Sequence, residues 1–146
     1  MPCCAYMGPE GAGYFVKMVH NSIEYADMQL IAEAYLLLKQ VGGFDNRALS
    51  GLFAQWNTGE LQSYLVEITA DILHESDDLA LGKLLDKIED SAGQKSTGRW
   101  TAIEALHLGA DVSMIAAAGG ARILSNNLAL RESAAKLLPG PACAKA

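Results

Sequence analysis

Aromatic residues are scarce in this chain of 146 residues, at 7% of the total, while Leu, Ala, Ile and Met dominate an apolar fraction of 51%. By intrinsic propensity that balance favours helix over sheet, and the apolar fraction is large enough to form a core. An all-α globular domain is expected and a disordered chain is excluded. Positive charge is also in short supply: 11 Lys and Arg stand against 17 Asp and Glu, a formal net charge of −6. The basic surface that nucleic acid or an anionic membrane requires is therefore missing, and neither partner is expected. A few converging cations could still hold an anion within one cleft. The three cysteines, Cys3, Cys4 and Cys143, lie close to the two ends. The adjacent pair fits neither a zinc spacing nor a disulfide framework, so reduced thiols, a cytoplasmic setting and no metal site are expected. Long apolar runs are lacking too. The longest, Met28 to Leu38, contains Gln29 and Glu33 and is too short to span a bilayer. Pro2, Gly8, Pro9 and Glu10 precede any apolar run, which argues against a secretory signal. With no repeat, low-complexity block or long linker, one domain over residues 1–146 is expected.

What the chain does contain is helical periodicity. A 3.6-residue pattern runs from Tyr14 to about Gln40 and stops at Gly42-Gly43. Asp45 or Asn46 can cap a second helix carrying Leu49, Leu52, Phe53 and Trp56, which Asn57-Thr58-Gly59 breaks. Leu61, Tyr64, Leu65, Ile68, Ile72 and Leu73 form the next stripe, closed by the polar run from His74 to Asp78. Leu84 to Ile88 is ambiguous and could be a short helix, and "DSAGQKSTGRW" reads as a loop. Thr101 with Glu104 suggests a capping box, and Gly109 a C-cap. Ser113 suggests a cap for Met114 to Leu124, and a last helix covers Leu128 to Leu138 before Pro139-Gly140-Pro141.

Polar groups are clustered in the first turns of the long helix. At about 100° per residue, Lys17, His20, Asn21, Glu24 and Tyr25 fall within an arc of roughly 140°. An amine and a carboxylate two turns apart can flank a small substrate and divide base and acid roles where the surroundings disfavour their charged forms. The plainer reading of the same spacing is a solvated helix face, and His20 alone reads as a hydrogen-bonded boundary residue.

Other motifs are weaker. "GAGYFV" falls short of the dinucleotide fingerprint, because Val16 stands where the third Gly belongs and no strand pattern precedes it, so no cofactor-binding residues are expected in this chain. The loop around Lys95, Ser96, Thr97, Gly98 and Arg99 could bind phosphate through cations, hydroxyls and backbone N–H groups, or be an ordinary exposed turn. It lacks the order of a Walker loop. Arg122 interrupts a helix of Ala, Gly, Ile and Leu, and should have an anionic partner or reach solvent.

The stretches "GPEGAGYFVKMVHNSIEYADMQLIAEAY", "WNTGEL", "SAGQKSTGRWT" and "ARILS", in this order and spacing, resemble the helical domain of 6-phosphogluconate dehydrogenase over nearly the whole chain. The resemblance implies an NADP-dependent enzyme of the pentose phosphate pathway. Such an enzyme oxidises 6-phosphogluconate and decarboxylates the 3-keto intermediate to ribulose 5-phosphate. Carried over position by position, it implies that Lys17 is the base taking the C3 hydroxyl proton and that Glu24 is the acid protonating the enediol. His20 and Asn21 would hold the sugar acid, while Tyr25, Lys95 and Arg122, with Thr97 as a further contact, would bind its phosphate and hydroxyls.

Some positions depart from the family pattern. Tyr14 replaces a His or similar residue, Ser22 and Ala26 replace glycines of "HNGIEYGD", and Ser96 replaces the Gly of "QKGTGKW". The added side chains at 22, 26 and 96 are expected to narrow the cleft or stiffen the loop. The family's NADP-binding Rossmann domain, and the tail that supplies an arginine and a histidine to the neighbouring subunit's site, have no counterpart in this sequence. Two expectations follow: a piece of a dehydrogenase inactive on its own, with "GPACAKA" marking a truncation, or a stand-alone helical module for assembly or sugar-phosphate binding. In the family the subunits dimerise through this domain. Val19, Ile23, Leu30, Ala34 and Leu37, added to the Met28, Ile31 and Tyr35 direction, make the long helix apolar on more than one side, so a homodimer or higher oligomer is expected.

Overall fold

In the computed structural model of the chain, which describes residues 3–79 and 81–140, the periodicity expected from Tyr14 begins earlier, and α1 spans Ala12–Gln40. The helix ends as the sequence implies: the N–H groups of Val41 and Gly42 donate to the Leu37 carbonyl, and that of Phe44 to Leu38. Five more helices follow: α2 (Asn46–Trp56), α3 (Tyr64–His74), α4 (Thr97–Leu108), α5 (Ser113–Asn126) and α6 (Leu128–Leu137). The ambiguous segment resolves as a 3-10 turn, Leu84–Lys87. No strand occurs among the described residues beyond an isolated bridge between Ser76 and Lys83. The fold is all-α.

The chain divides into two compact units, one from residues 3–29 and 91–132, the other from residues 30–90 and 133–140. The second unit is built on α2 and α3. Asp45 caps α2 by accepting the Ala48 N–H at 2.7 Å, and Ser63 caps α3 by accepting that of Val66 at 3.2 Å. Leu49, Phe53, Val66, Ala70 and Leu73 form its buried core, covered by Ile31, Tyr35, Leu38, Trp56 and Leu85. The Ser50 hydroxyl donates to the Ala70 carbonyl at 2.8 Å, joining α2 to α3. Leu61, expected on the stripe of α3, instead lies in the turn before it, 55% exposed, because Ser63 starts the helix beyond it. A polar knot ties the 3-10 turn down: Lys39 Nζ donates to Tyr35 Oη at 2.6 Å, Asn46 Oδ1 at 3.1 Å and Asp86 Oδ1 at 3.0 Å.

The first unit packs the start of α1 with α4 and α5. Its core is made of small side chains: Ala26, Ile115 and Ala118, with Tyr25 and Val112 against them. Gly109 ends α4 at φ +66°, where only glycine is free of a Cβ penalty, and the Ala110 N–H returns to the Ala105 carbonyl at 2.8 Å. Two capping expectations fail here. Thr101 lies in the second turn of α4 and is buried, because the helix begins at Thr97 inside the expected loop. Ser113 is the first residue of α5 and gives no cap; its N–H and hydroxyl both bond Asp111 Oδ1. Cys3 and Cys4 are exposed and unpaired, and Cys143 lies outside the described residues. Among the described residues no helix is long and apolar enough to cross a membrane, and no group of three or more His, Cys, Asp or Glu could hold a metal ion.

Candidate active site

All the residues singled out from the sequence belong to the first unit, on three elements. α1 carries Lys17, His20, Asn21, Glu24 and Tyr25; the segment before α4 carries Lys95, with Thr97 opening the helix; α5 carries Arg122. Lys17 is exposed, while Asn21, Glu24 and Tyr25 are half-buried. His20 Nε2 lies 3.2 Å from Glu24 Oε1, one turn away. The carboxylate expected to move a proton therefore has an imidazole within hydrogen-bond reach. The two residues border an open groove of about 390 Å³ along α1, lined otherwise by the apolar Phe15, Val16, Val19 and Ile23 and by the carboxylate of Asp27.

Tyr25 is the hub of the other half of the site. Its hydroxyl accepts the Lys95 backbone N–H at 3.2 Å and lies 3.5 Å from the Lys95 carbonyl. Over its ring sits the Arg122 guanidinium, 3.7 Å from the centroid. Gly98 allows this approach, since a Cβ at that position would meet the Tyr25 ring at 3.1 and 3.2 Å. Arg122 also donates to the Gly93 carbonyl at 2.8 Å and reaches Met28 Sδ at 3.5 Å. Of the two expectations for Arg122, an anionic partner or access to solvent, the second holds: the guanidinium is half-buried, and a ring face, a carbonyl and a thioether meet it without a counter-charge.

Ser125 and Asn126, one turn beyond Arg122, complete the hold on the segment before α4. Ser125 Oγ accepts the Ala92 N–H at 3.0 Å, and Asn126 donates to the Ala92 carbonyl at the same distance. Sequence reading passed over both, although their spacing of three and four from Arg122 places all three on one side of α5. The structure thus brings the Arg122 side chain and the Lys95 backbone to Tyr25, leaves the Lys95 side chain exposed, and pairs His20 with Glu24. Chemically the arrangement offers an amine, an imidazole–carboxylate pair and two cationic side chains on neighbouring elements. That set is suited to a polyhydroxylated anion.

Residues 13–146 match the family described as 6-phosphogluconate dehydrogenase, C-terminal domain. The chain belongs to the 6-phosphogluconate dehydrogenase family. It is 56% identical over 140 residues to 6-phosphogluconate dehydrogenase, decarboxylating 1, of Saccharomyces cerevisiae, and 56% identical over 142 residues to the decarboxylating enzyme of Synechococcus elongatus. Each alignment covers 96% of this chain, with 28% of the yeast protein and 30% of the cyanobacterial one. Among solved structures it resembles the 6-phosphogluconate dehydrogenase of Plasmodium falciparum, determined in its apo form and in complexes with its cofactor NADP+ and its substrate 6-phosphogluconate. That likeness has a TM-score of 0.94 at 46% identity, over 99% of this chain and 31% of the other. The chain spans about three-tenths of the length of the relatives it matches.

The departures from the family pattern at 22 and 26 lie off the polar arc of α1, and Ala26 lines a separate groove with Ile23, Asp27 and Val112. Ser22 is 0% and Ala26 7% exposed, because they sit roughly 140° and 180° around α1 from Lys17, on the side packed against α4 and α5. Ser96 precedes α4 without a side-chain capping bond, and Tyr14 is 86% exposed.

Proposed function

We propose that this chain is the substrate-facing helical part of an NADP-dependent, decarboxylating 6-phosphogluconate dehydrogenase. The observation that carries the reading is the assembly of Tyr25, Lys95 and Arg122 beside the polar face of α1, in a chain 56% identical to a decarboxylating relative. In this reading Lys17 is the base that takes the proton of the C3 hydroxyl. Glu24 is the acid that returns a proton to the enediol after carbon dioxide leaves, with His20 as its hydrogen-bonded neighbour. His20 and Asn21 hold the sugar acid. Lys95, Thr97 and Arg122 receive the phosphate, where charge-assisted hydrogen bonds are strongest, and Tyr25 orients the hydroxyl chain.

A bound nicotinamide dinucleotide would supply the hydride acceptor for C3. The residues described here do not fit a dinucleotide: Gly11 and Gly13 face open space, and no strand leads into α1 to form the cradle that a pyrophosphate needs. We therefore assign residues 1–146 to one partial helical domain without cofactor-binding residues, and assign NADP to the rest of the enzyme. The proposed role places the protein in the pentose phosphate pathway and gluconate use. A cytoplasmic setting goes with it, supported by the free thiols of Cys3 and Cys4.

A homodimer belongs to the same reading. Leu30, Leu36 and Leu37 on α1 are 49%, 48% and 64% exposed, and Ile23 on the same helix is 49% exposed. A two-fold interface would cover such surface with a second copy of itself. Light scattering should give about twice the 15.5 kDa of the chain, and a pure monomer at micromolar concentration would reject the dimer.

Titration of the chain with 6-phosphogluconate, followed by NMR, tests the site. Binding at about millimolar strength is expected, because a few charge-assisted hydrogen bonds must offset the ordering of long side chains. The Lys95, Arg122 and Tyr25 signals should move, and the absence of any perturbation there would overturn the reading.

A further inference from the structure

Ser22 is completely buried and Thr101 is 4% exposed, and their hydroxyls meet at 2.8 Å. Around this pair lie two backbone carbonyls: Met18 O, 2.8 Å from Ser22 Oγ and 3.3 Å from Thr101 Oγ1, and Thr97 O, 3.2 Å from Ser22 Oγ. Two hydroxyl protons serve four contacts. The shortest arrangement has Thr101 donating to Ser22 and Ser22 donating to Met18, leaving the contacts at 3.2 and 3.3 Å as longer alternatives. Buried hydroxyls of this kind are retained only when satisfied, and each here has more than one acceptor within reach.

The position of the pair matters more than its stability. Met18 follows Lys17, Ser22 follows Asn21, and Thr97 is itself the residue that opens α4, two positions after Lys95. Both anchoring carbonyls and the Ser22 hydroxyl are therefore at, or one residue from, a member of the candidate site. Thr101 stands one turn along α4 from Thr97, so fixing it against α1 fixes the first turn of α4. The Ser22 and Thr101 hydroxyls join α1 directly to the helical part of α4. The Tyr25 hydroxyl reaches Lys95, before the helix begins.

We infer that Ser22 and Thr101 are positioning residues: their hydroxyl clasp sets the spacing between the proton-transfer face of α1 and the phosphate-receiving turn at the start of α4. The inference rests on the reading of these two elements as a sugar-acid site, and it deepens that reading by naming what holds the two halves in register. Ser22 stands where the family pattern has glycine, which cannot make the clasp. This chain then holds the turn more firmly than a glycine-bearing relative does.

The test uses the chain with Thr101→Val and Ser22→Ala, both close in volume to the originals, and with Thr101→Ser as the conservative rescue. Ile115→Val serves as a control that weakens the same unit by packing alone. Two readouts report the register: the NMR contact between the Tyr25 ring and the Gly98 α-protons, and the exchange rate of the Lys95 amide that donates to Tyr25. Thr101→Val and Ser22→Ala should weaken the first and speed the second by about fivefold, the effect of losing one hydrogen bond. Thr101→Ser and Ile115→Val should leave both unchanged. A lower melting temperature in Thr101→Val and Ser22→Ala with the Tyr25–Gly98 contact and Lys95 exchange as in the original chain would overturn the inference, since the clasp would then be structural only. Titration of the original chain with 6-phosphogluconate judges the underlying reading separately: a chain that fails to bind loses the sugar-acid assignment, while the register measurements still decide the clasp.

Discussion

The guanidinium of Arg122 lies 3.7 Å from the centre of the Tyr25 ring, and the Tyr25 hydroxyl holds the backbone N–H of Lys95 at 3.2 Å. One aromatic side chain thus joins an arginine from α5 to the segment before α4. Replacing Arg122 with Lys keeps the charge but loses the planar stack and the directed bond to the Gly93 carbonyl. Arg122→Lys should cost about 1 kcal/mol of stability in denaturant titration and shift the Tyr25 ring protons. Unchanged ring signals would show that the stack does not persist in solution.

Gly98 makes a complementary prediction. An alanine there brings a Cβ to 3.1 Å from a ring that is held at its hydroxyl and over its face, so the ring must give way. Alanine also favours helix by up to about 1 kcal/mol, which offsets the crowding. Gly98→Ala should therefore leave the melting temperature nearly unchanged while faster exchange of the Lys95 amide reports loss of its bond to Tyr25. A Lys95 amide as protected as before would contradict the close approach.

In the second unit, hydrogen bonds to Tyr35 and then to Asp86 raise the pKa of Lys39, and hydrogen bonds from Lys39 and then Asn46 lower that of Asp86. A depressed carboxyl stabilises the fold above its unfolded-state pKa and loses that contribution as pH falls through the folded value; a raised amine does so below its own and loses it as pH rises. The knot should hold between about pH 4 and pH 10 and weaken outside that window. Lys39 is 35% and Asp86 50% exposed, so the contribution is about 1 kcal/mol or less. Asp86→Asn should flatten the acid limb of a stability–pH curve measured by chemical denaturation, and an acid limb as steep as the original would assign it to other carboxyls.

Periodicity and glycine placement made most of the fold legible. Gly42-Gly43, Asp45 and Gly109 mark helix ends because their chemistry acts within a few residues of the chain. Thr101 was misread for the opposite reason: a Thr followed three residues later by Glu has the form of a cap, and only the distant hydroxyl of Ser22 and carbonyl of Met18 draw it into the helix interior. The polar arc from Lys17 to Tyr25 could be read from helical geometry, and its meaning came from resemblance. The Tyr25–Arg122 stack and the Gly98 contact join residues more than 70 positions apart, and the grip of Ser125 and Asn126 reaches Ala92 across 33 and 34 positions, where local pattern does not name the partner.

The most direct measurement places this chain in the matching segment of the Saccharomyces cerevisiae relative and follows oxidation of 6-phosphogluconate with NADP. Hydride transfer needs a cofactor held against the reacting carbon, so the chain of 146 residues on its own should reduce no NADP, whereas the chimera should turn over. In the chimera, Lys17→Met and Glu24→Gln should each lower kcat by at least about a hundredfold, the scale of a lost general base or acid, with a smaller change in KM. Near-normal kcat in either variant would contradict the assignment of the α1 polar face as the catalytic one.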